Sequence, residues 1–270
     1  MIHFLYVLSV VLPFVFSDAV AETTLVGNFT QGGLVFGATE PGSLVTLDGK
    51  PVSLSREGRF LVGFGRNASP EAKLSITAPD GKIDSRVLDV ASRSYKIQRI
   101  NGLPSRKVTP APQDIARIKA DNAGIGRVRR LDTREAYFSS GFMWPVKGPI
   151  SGVFGSRRIL NGKPKNPHNG TDIAASEGTL IVAPADGVVA LVHDDMFYTG
   201  KTLMLNHGLG LSSVYAHMSA MLVESGALVK KGDPIGKIGK TGRVTGAHLH
   251  WGVTLNRTHL DPALLAGNMK

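Results

Sequence analysis

Residues 42–64, "GSLVTLDGKPVSLSREGRFLVGF", alternate apolar and polar positions and are cut by turn signals at Asp48-Gly49 and Glu57-Gly58. Alternation with a period of two puts successive side chains on opposite faces of a strand, and an acidic residue followed by Gly between two such runs reads as a hairpin turn. "KLSITAPDGKIDSRVLDV" repeats the pattern around Asp80-Gly81. Short strands joined in this way predict a small β-sandwich over residues 22–92. Glycine-punctuated strand patterns return at "FMWPVKGPISGVFGSRR" and run to the end. The fold class is therefore read as mainly β and rich in turns.

Between these halves, residues 93–141 read as a basic linker with a short helix. Pro112 suits a first helical turn, and Ile115, Ile118 and Ala123 follow it. Gly124 and Gly126 predict that the helix breaks or ends near them. From Ser92 to Arg134 there are 11 Lys and Arg against Asp114, Asp121 and Asp132, a net of +8 within a chain whose formal charge is +10. Such a segment suits anionic partners; the alternative is a solvated helix face. The N-terminal part, through "ATEPGSLVTLDGKPVSLSREGRF", resembles bacterial immunoglobulin-like modules, and no histidine lies between His3 and His168 to give it chemistry.

The first 21 residues read as a secretory signal peptide. An apolar run from Phe4 to Phe16 precedes Ala19-Val20-Ala21, an A-x-A cleavage pattern, with Glu22 as the mature start. The run falls short of the ~20 residues that span a bilayer, and no other segment is apolar enough to do so. Export to the periplasm or cell envelope is the expected location, with no stable transmembrane segment after cleavage. In that setting the basic segment is expected to meet anionic envelope polymers rather than nucleic acid.

The chain has no cysteine, which excludes disulfides, thiolate metal sites and a cysteine nucleophile. Any metal must be held by His, Asp and Glu. Seven of the eight histidines fall after residue 167. In "TGAHLHWGV", His248 and His250 share one face of a strand, where two imidazoles make poor core material. In "NPHNGTDIAA", His168 and Asp172 are four apart and again share a face if extended. With His250 they make two imidazoles and one carboxylate, which leaves a fourth tetrahedral position for water, as in a catalytic zinc site. Zinc would lower the pKa of that water towards neutrality. His248, and His217 in "SSVYAHMSA", then need not bind metal if they sit in the same cleft. Imidazole, with an ordinary pKa near 6.5, suits proton transfer.

These stretches together, "HNGTD", "YAHMS" and "GAHLHWGV", with "GPISGVFGSRR", "GTLIVAPADGVVALV" and "VKKGDPIGKIGKTGRVTGAHLH" around them, resemble the lysostaphin/LytM-type zinc endopeptidases that cut peptidoglycan. The resemblance covers residues 142–263 and places a zinc endopeptidase domain at 142–270. It implies one Zn2+ per chain held by His168, Asp172 and His250, and His217 and His248 as catalytic histidines. It further implies peptidoglycan as substrate and a compact antiparallel β fold, hybrid-barrel-like in its repeats, with the metal in a long groove. The loop "SRRILNGKPKNPH" is expected to line that groove.

Other readings compete. "VAPADGVVALV" is similar to lipoyl/biotinyl-type modules, which would make the chain a non-enzymatic hybrid-barrel carrier; that leaves the clustered His/Asp set without a reason. A catalytically silent relative that activates another cell-wall hydrolase would be marked by lost ligands. A non-haem iron triad uses the same residue types but ordinarily spaces them H-x-D/E. "GKIGKTG" fails as a phosphate loop because Pro234 stands where that motif needs Gly. His207 is expected to be structural, and His193 and His259 to be surface or loop residues. Arg157-Arg158 is read as either a contact for acidic substrate groups or a solvated loop.

Overall fold

The structure, a computed structural model, describes residues 22–269. The signal peptide expected over residues 1–21 lies outside the described residues. Two antiparallel sheets open the fold. The first orders Thr24–Gly27, Leu34–Ala38 and Arg59–Gly63; the second orders Lys50–Val52, Leu44–Leu47, Glu71–Thr77 and Ile83–Asp89. Along Glu71–Thr77 the alternation is plain, with Ala72, Leu74 and Ile76 buried and Glu71 and Lys73 exposed. Those buried residues meet Val35, Phe60, Val62 and Phe64 in one core, so the sandwich predicted from the turn spacing is present.

Arg59–Gly63 departs from alternation: Phe60, Leu61 and Val62 are all buried. Phe60 and Val62 belong to the sandwich core, whereas Leu61, with Leu34, belongs to the core of the C-terminal sheet. Both faces of this strand are covered, so its sequence is a continuous apolar run. On that second face Phe36 meets Phe138, with ring centroids 5.8 Å apart. A Cβ on Gly63 would stand 3.1 Å from Leu255.

The basic segment is woven into the rest. Ile97–Ile100 pairs in parallel with Arg157–Leu160, which forms an antiparallel hairpin with Lys163–Lys165. The hairpin turn is Asn161-Gly162, with φ of 46° and 78°, the left-handed pair that Asn-Gly supplies cheaply. Pro112–Asp114 forms a 3-10 turn that leads into the helix Ile115–Val128. That helix runs through Gly124 and Gly126 instead of stopping there. Gly124 is buried near Leu191 and Met196, and Ile125 and Val128 pack with Met204 and Val214. This burial outweighs the roughly 1 kcal/mol that each helical glycine costs. Part of the segment's charge is paired, Arg106 with Asp114 inside the segment, and Arg93 and Arg117 with Asp261 and Asp195 outside it.

The C-terminal half is a 10-stranded sheet. Its main path runs Leu228–Val229, Gly187–Met196, Gly200–Gly208, Leu211–Met221, His248–Leu255, Thr171–Ala174 and Ile150–Gly152, antiparallel throughout. Pro234–Ile238 pairs with both Leu211–Met221 and Leu180–Val182. Leu203, Leu205, Tyr215, Leu249, Trp251 and Val253 fill the core on one face. Among the described residues no helix is long and apolar enough to cross a membrane.

Candidate metal centre

His248–Leu255 lies between Thr171–Ala174 and Leu211–Met221. Leu249 and Trp251 are wholly buried on the core face, so His248 and His250 project from the other face, as the period of two requires. In register, His250 stands opposite Asp172 on one side and Ala216 on the other, and His248 stands opposite Ala174. Pairing of the two strands thus brings together residues 78 apart in sequence.

His168 precedes this strand pair and is tied down before it reaches the cluster. Its backbone N–H donates to the Ser156 carbonyl at 2.9 Å, and its own carbonyl accepts from Gly155 N–H at 2.8 Å. Its ring Nδ1 lies 3.1 Å from the Val153 carbonyl. A carbonyl only accepts, so Nδ1 carries the proton and Nε2 keeps its lone pair. That Nε2 is 3.0 Å from Asp172 Oδ1 and 3.0 Å from His250 Nδ1, and the last two are 2.7 Å apart. Burial holds His168 down at about 4, against the pull of Asp172, so the ring is neutral at pH 7. Burial alone would raise the Asp172 carboxyl, but hydrogen bonds and charge from His168 and His250 hold it well below the usual carboxylate range.

Two imidazole nitrogens and a carboxylate oxygen, each from a different residue, therefore face a common point. A single proton on His250 Nδ1 answers this arrangement only in part, because the lone pair of His168 still faces an anionic oxygen. A divalent cation answers all three. The set of two imidazoles and a carboxylate matches the ligands of catalytic zinc sites, and His168, Asp172 and His250 are able to hold such an ion.

His217 and His248 flank the trio. The ring centroids of His217 and His248 are 4.9 Å apart, and those of His217 and His250 are 6.2 Å apart. Each ring is anchored through Nδ1: His217 to the Thr241 carbonyl at 2.8 Å, His248 to the Gly246 carbonyl at 2.9 Å. By the same reasoning Nδ1 is the protonated nitrogen, and Nε2 is turned away from the anchor. His248 Nε2 lies 3.9 Å from Asp172 Oδ1. Burial, reinforced by His248 and His250, holds His217 at about 3.

The direction of His217 depends on a bulge. Tyr215 and Met218 both lie in the core, although strict alternation would put them on opposite faces. The register shifts here, from Lys201 opposite Met218 to Leu203 opposite Tyr215, leaving one extra residue on the His217 strand. Ala216 and His217 therefore fall on one face together. His217 has a φ of 66°, a left-handed conformation uncommon for a non-glycine residue and typical of functional sites.

Asp172 has a second oxygen, and Arg158 holds it: Nη2 to Oδ2 is 2.6 Å. Arg158 Nε donates to Gln98 Oε1 at 3.3 Å, and Gln98 Nε2 donates to the Ser151 carbonyl at 3.0 Å. Gln98 stands opposite Arg158 in the parallel pair. The basic segment therefore reaches to within two side chains of the trio.

Comparison with known proteins agrees with this geometry. A family model described as peptidase family M23 matches residues 166–262, which include all five residues of the cluster. A solved structure from Pseudomonas aeruginosa, described as a peptidase M23, is 30% identical and superposes with a TM-score of 0.69 over 90% of this chain and 96% of that one. The chain belongs to peptidase family M23. Two curated M23-region relatives cover less. The peptidoglycan DD-endopeptidase ShyA of Vibrio cholerae is 42% identical over 40% of this chain, and a Haemophilus influenzae protein named as an uncharacterized metalloprotease is 37% identical over 53% of it. The matches span only 26% and 28% of those two proteins' lengths.

Set in this M23 chain, the remaining sequence readings resolve as follows. His207 is structural: it is wholly buried, with Nδ1 donating to the Asp186 carbonyl at 2.7 Å and Nε2 accepting from Ser213 Oγ at 2.8 Å. His193 is exposed. His259 is neither a surface nor a free loop residue, because it is half-buried and lines a cavity beside His250. Arg158 is not a solvated loop residue either. Its carboxylate partner is Asp172, a relationship that the spacing of "SRR" could not disclose, since the hairpin that aims Arg158 is set by pairing with residues 97–100.

Proposed function

We propose that this chain is an exported zinc metalloendopeptidase that hydrolyses peptide bonds in peptidoglycan stems or cross-links. The observation that carries the proposal is the convergence of His168 Nε2, Asp172 Oδ1 and His250 Nδ1 within 3.0 Å of one another, beside two further histidines whose Nδ1 atoms are already engaged. His168, Asp172 and His250 would hold one Zn2+, which would supply a Lewis acid and bring the pKa of water down towards neutrality. Arg158 fixes the orientation of Asp172 through its second oxygen. His217 and His248 present Nε2 to the peptide, take up the proton lost by the attacking water, and hold it for the departing amine or the developing oxyanion. The substrate class follows from the ShyA likeness, and export from the A-x-A pattern after the apolar run in residues 1–21. The exposed cations of the basic segment serve binding to anionic envelope polymers.

Digestion of purified sacculi, with the products identified by mass spectrometry, tests this reading. The expected result is new amino termini at stem or cross-link peptides, abolished by chelation and restored by zinc. A zinc-loaded chain that releases no peptide products, yet stimulates another hydrolase, would instead favour the silent activator.

A further inference from the structure

A cavity of about 400 Å³, lined in part by His250, opens beside the metal centre. Its floor continues the strand that carries His250: Gly252 and Thr254 share that residue's face, two and four positions on. At about 3.3 Å per residue, they lie roughly 7 and 13 Å along from His250. The helix Ile115–Val128 covers this end of the groove through Asn122, Ile125 and Gly126. Arg129, at the helix C-cap, and Arg257 and His259, beyond the floor strand, also line it.

The charge in this cavity is one-sided. No Asp or Glu lines it, and among the described residues no carboxylate lies within ion-pair distance of Arg129, Arg257 or His259. Arg129 Nε is fully buried and has no hydrogen-bond partner. Burial disfavours the charge on this guanidinium and, reinforced by Arg129, the charge on His259. Arg129 as a whole is half-buried, and a partly buried cation without a counter-charge gains from an anion brought to it. A guanidinium compensates best by two parallel hydrogen bonds to a planar anion of matching width, which a carboxylate provides.

We infer that this cavity is a subsite for a free carboxylate of the peptide substrate, with Arg129 as its anchor and Arg257 and His259 alongside. The inference rests on the peptidase reading of the metal centre. It adds that the substrate strand runs along the floor from His250 towards Gly252 and ends, in its free C-terminal carboxylate, within one or two residues of the bond being cut. The helix closes the groove there, so a longer uncharged extension is disfavoured. The anchoring residue lies outside the stretch matched by the family model, residues 166–262, so the preference belongs to the basic segment rather than to the zinc-binding fold.

The test uses the full mature chain, zinc-loaded, and one murein-type stem peptide prepared as the free acid and as the C-terminal amide. Equilibrium binding is measured by calorimetry, and cleavage by product formation. The free acid should bind and be cleaved about 10–100-fold better, the range of a hydrogen-bonded charge interaction. Arg129→Gln should bring that ratio close to one while zinc content stays at the wild-type level, and Arg129→Lys should leave it intermediate. Equal handling of acid and amide by the wild-type chain overturns the subsite without any variant, as does an unchanged ratio in Arg129→Gln. Preferential binding of the acid with no cleavage of either peptide would uphold the subsite and defeat the peptidase reading. Cleavage of both at equal rates would do the reverse.

Discussion

Arg158 Nη2 and Asp172 Oδ2 stand 2.6 Å apart, while the other oxygen of Asp172 faces two histidines. Arg158 is mostly buried, with 16% of its side chain exposed, so the pair is shielded from the screening that weakens surface ion pairs. One carboxylate is thereby divided between a structural cation and the proposed metal position. Groups that orient metal ligands typically carry 10–100-fold in metal affinity. Arg158→Gln should weaken zinc binding by about that factor, measured by competition with a chromogenic chelator. An unchanged zinc affinity would show that the strand pairing alone orients Asp172.

Gln98→Ala should reproduce a weaker form of the same defect, because Gln98 holds Arg158 rather than Asp172. The expected loss in zinc affinity is less than about tenfold, and Arg158→Gln and Gln98→Ala should not add fully when combined, since they act on one chain of contacts. Full additivity in this double-mutant cycle would mean that Gln98 acts elsewhere.

The two histidines of the H-x-H pair should fail differently. His250→Ala should lose zinc and activity together, because its Nδ1 is one of the three converging atoms. His248→Ala should keep most of its zinc and lose about 10²–10⁴-fold in turnover, the usual contribution of a positioned acid–base group. Elemental analysis beside cleavage kinetics separates the two outcomes. Equal zinc loss in both variants would make His248 a ligand.

His207 gives a stability signature that is independent of catalysis. Burial holds it at about 4 in the folded chain, whereas an unfolded histidine titrates near 6.5. Between those values the unfolded chain takes up a proton that the folded chain does not, so stability falls as pH falls from about 6.5 towards 4. The share due to His207 is about 2 kcal/mol by pH 5. Urea unfolding at pH 7.5 and pH 5 should show that His207→Gln is less stable than wild type at the higher pH but loses less on acidification. Parallel pH dependence in the two proteins would refute the assignment.

Removing residues 22–138 should destabilise what remains. Leu34 and Leu61 are almost wholly buried against the C-terminal core, and fully burying each such side chain contributes about 1.5–3 kcal/mol. Thermal unfolding of a chain beginning at Ser139 should therefore start at a clearly lower temperature. A truncated chain with undiminished stability would make the N-terminal sandwich an independent appendage.

Local periodicity settled much of this protein from the sequence alone. The face shared by His248 and His250 follows from the period of two, the sandwich from the turn spacing, and the absence of thiolate ligands from composition. The first two depend only on residues a few positions apart, and the third only on a count over the chain. The tertiary structure decided what depends on partners distant in the chain. His217 faces His248 and His250 because a register mismatch with Gly200–Gly208 inserts a bulge. The helix continues through Gly124 because the sheet beneath it buries that glycine. Arg158 meets Asp172, and Arg129 joins the cavity beside His250, because sheet pairing and helix docking carry the basic segment onto the C-terminal sheet. A linear pattern cannot encode the distance between residues whose separation is closed only by folding.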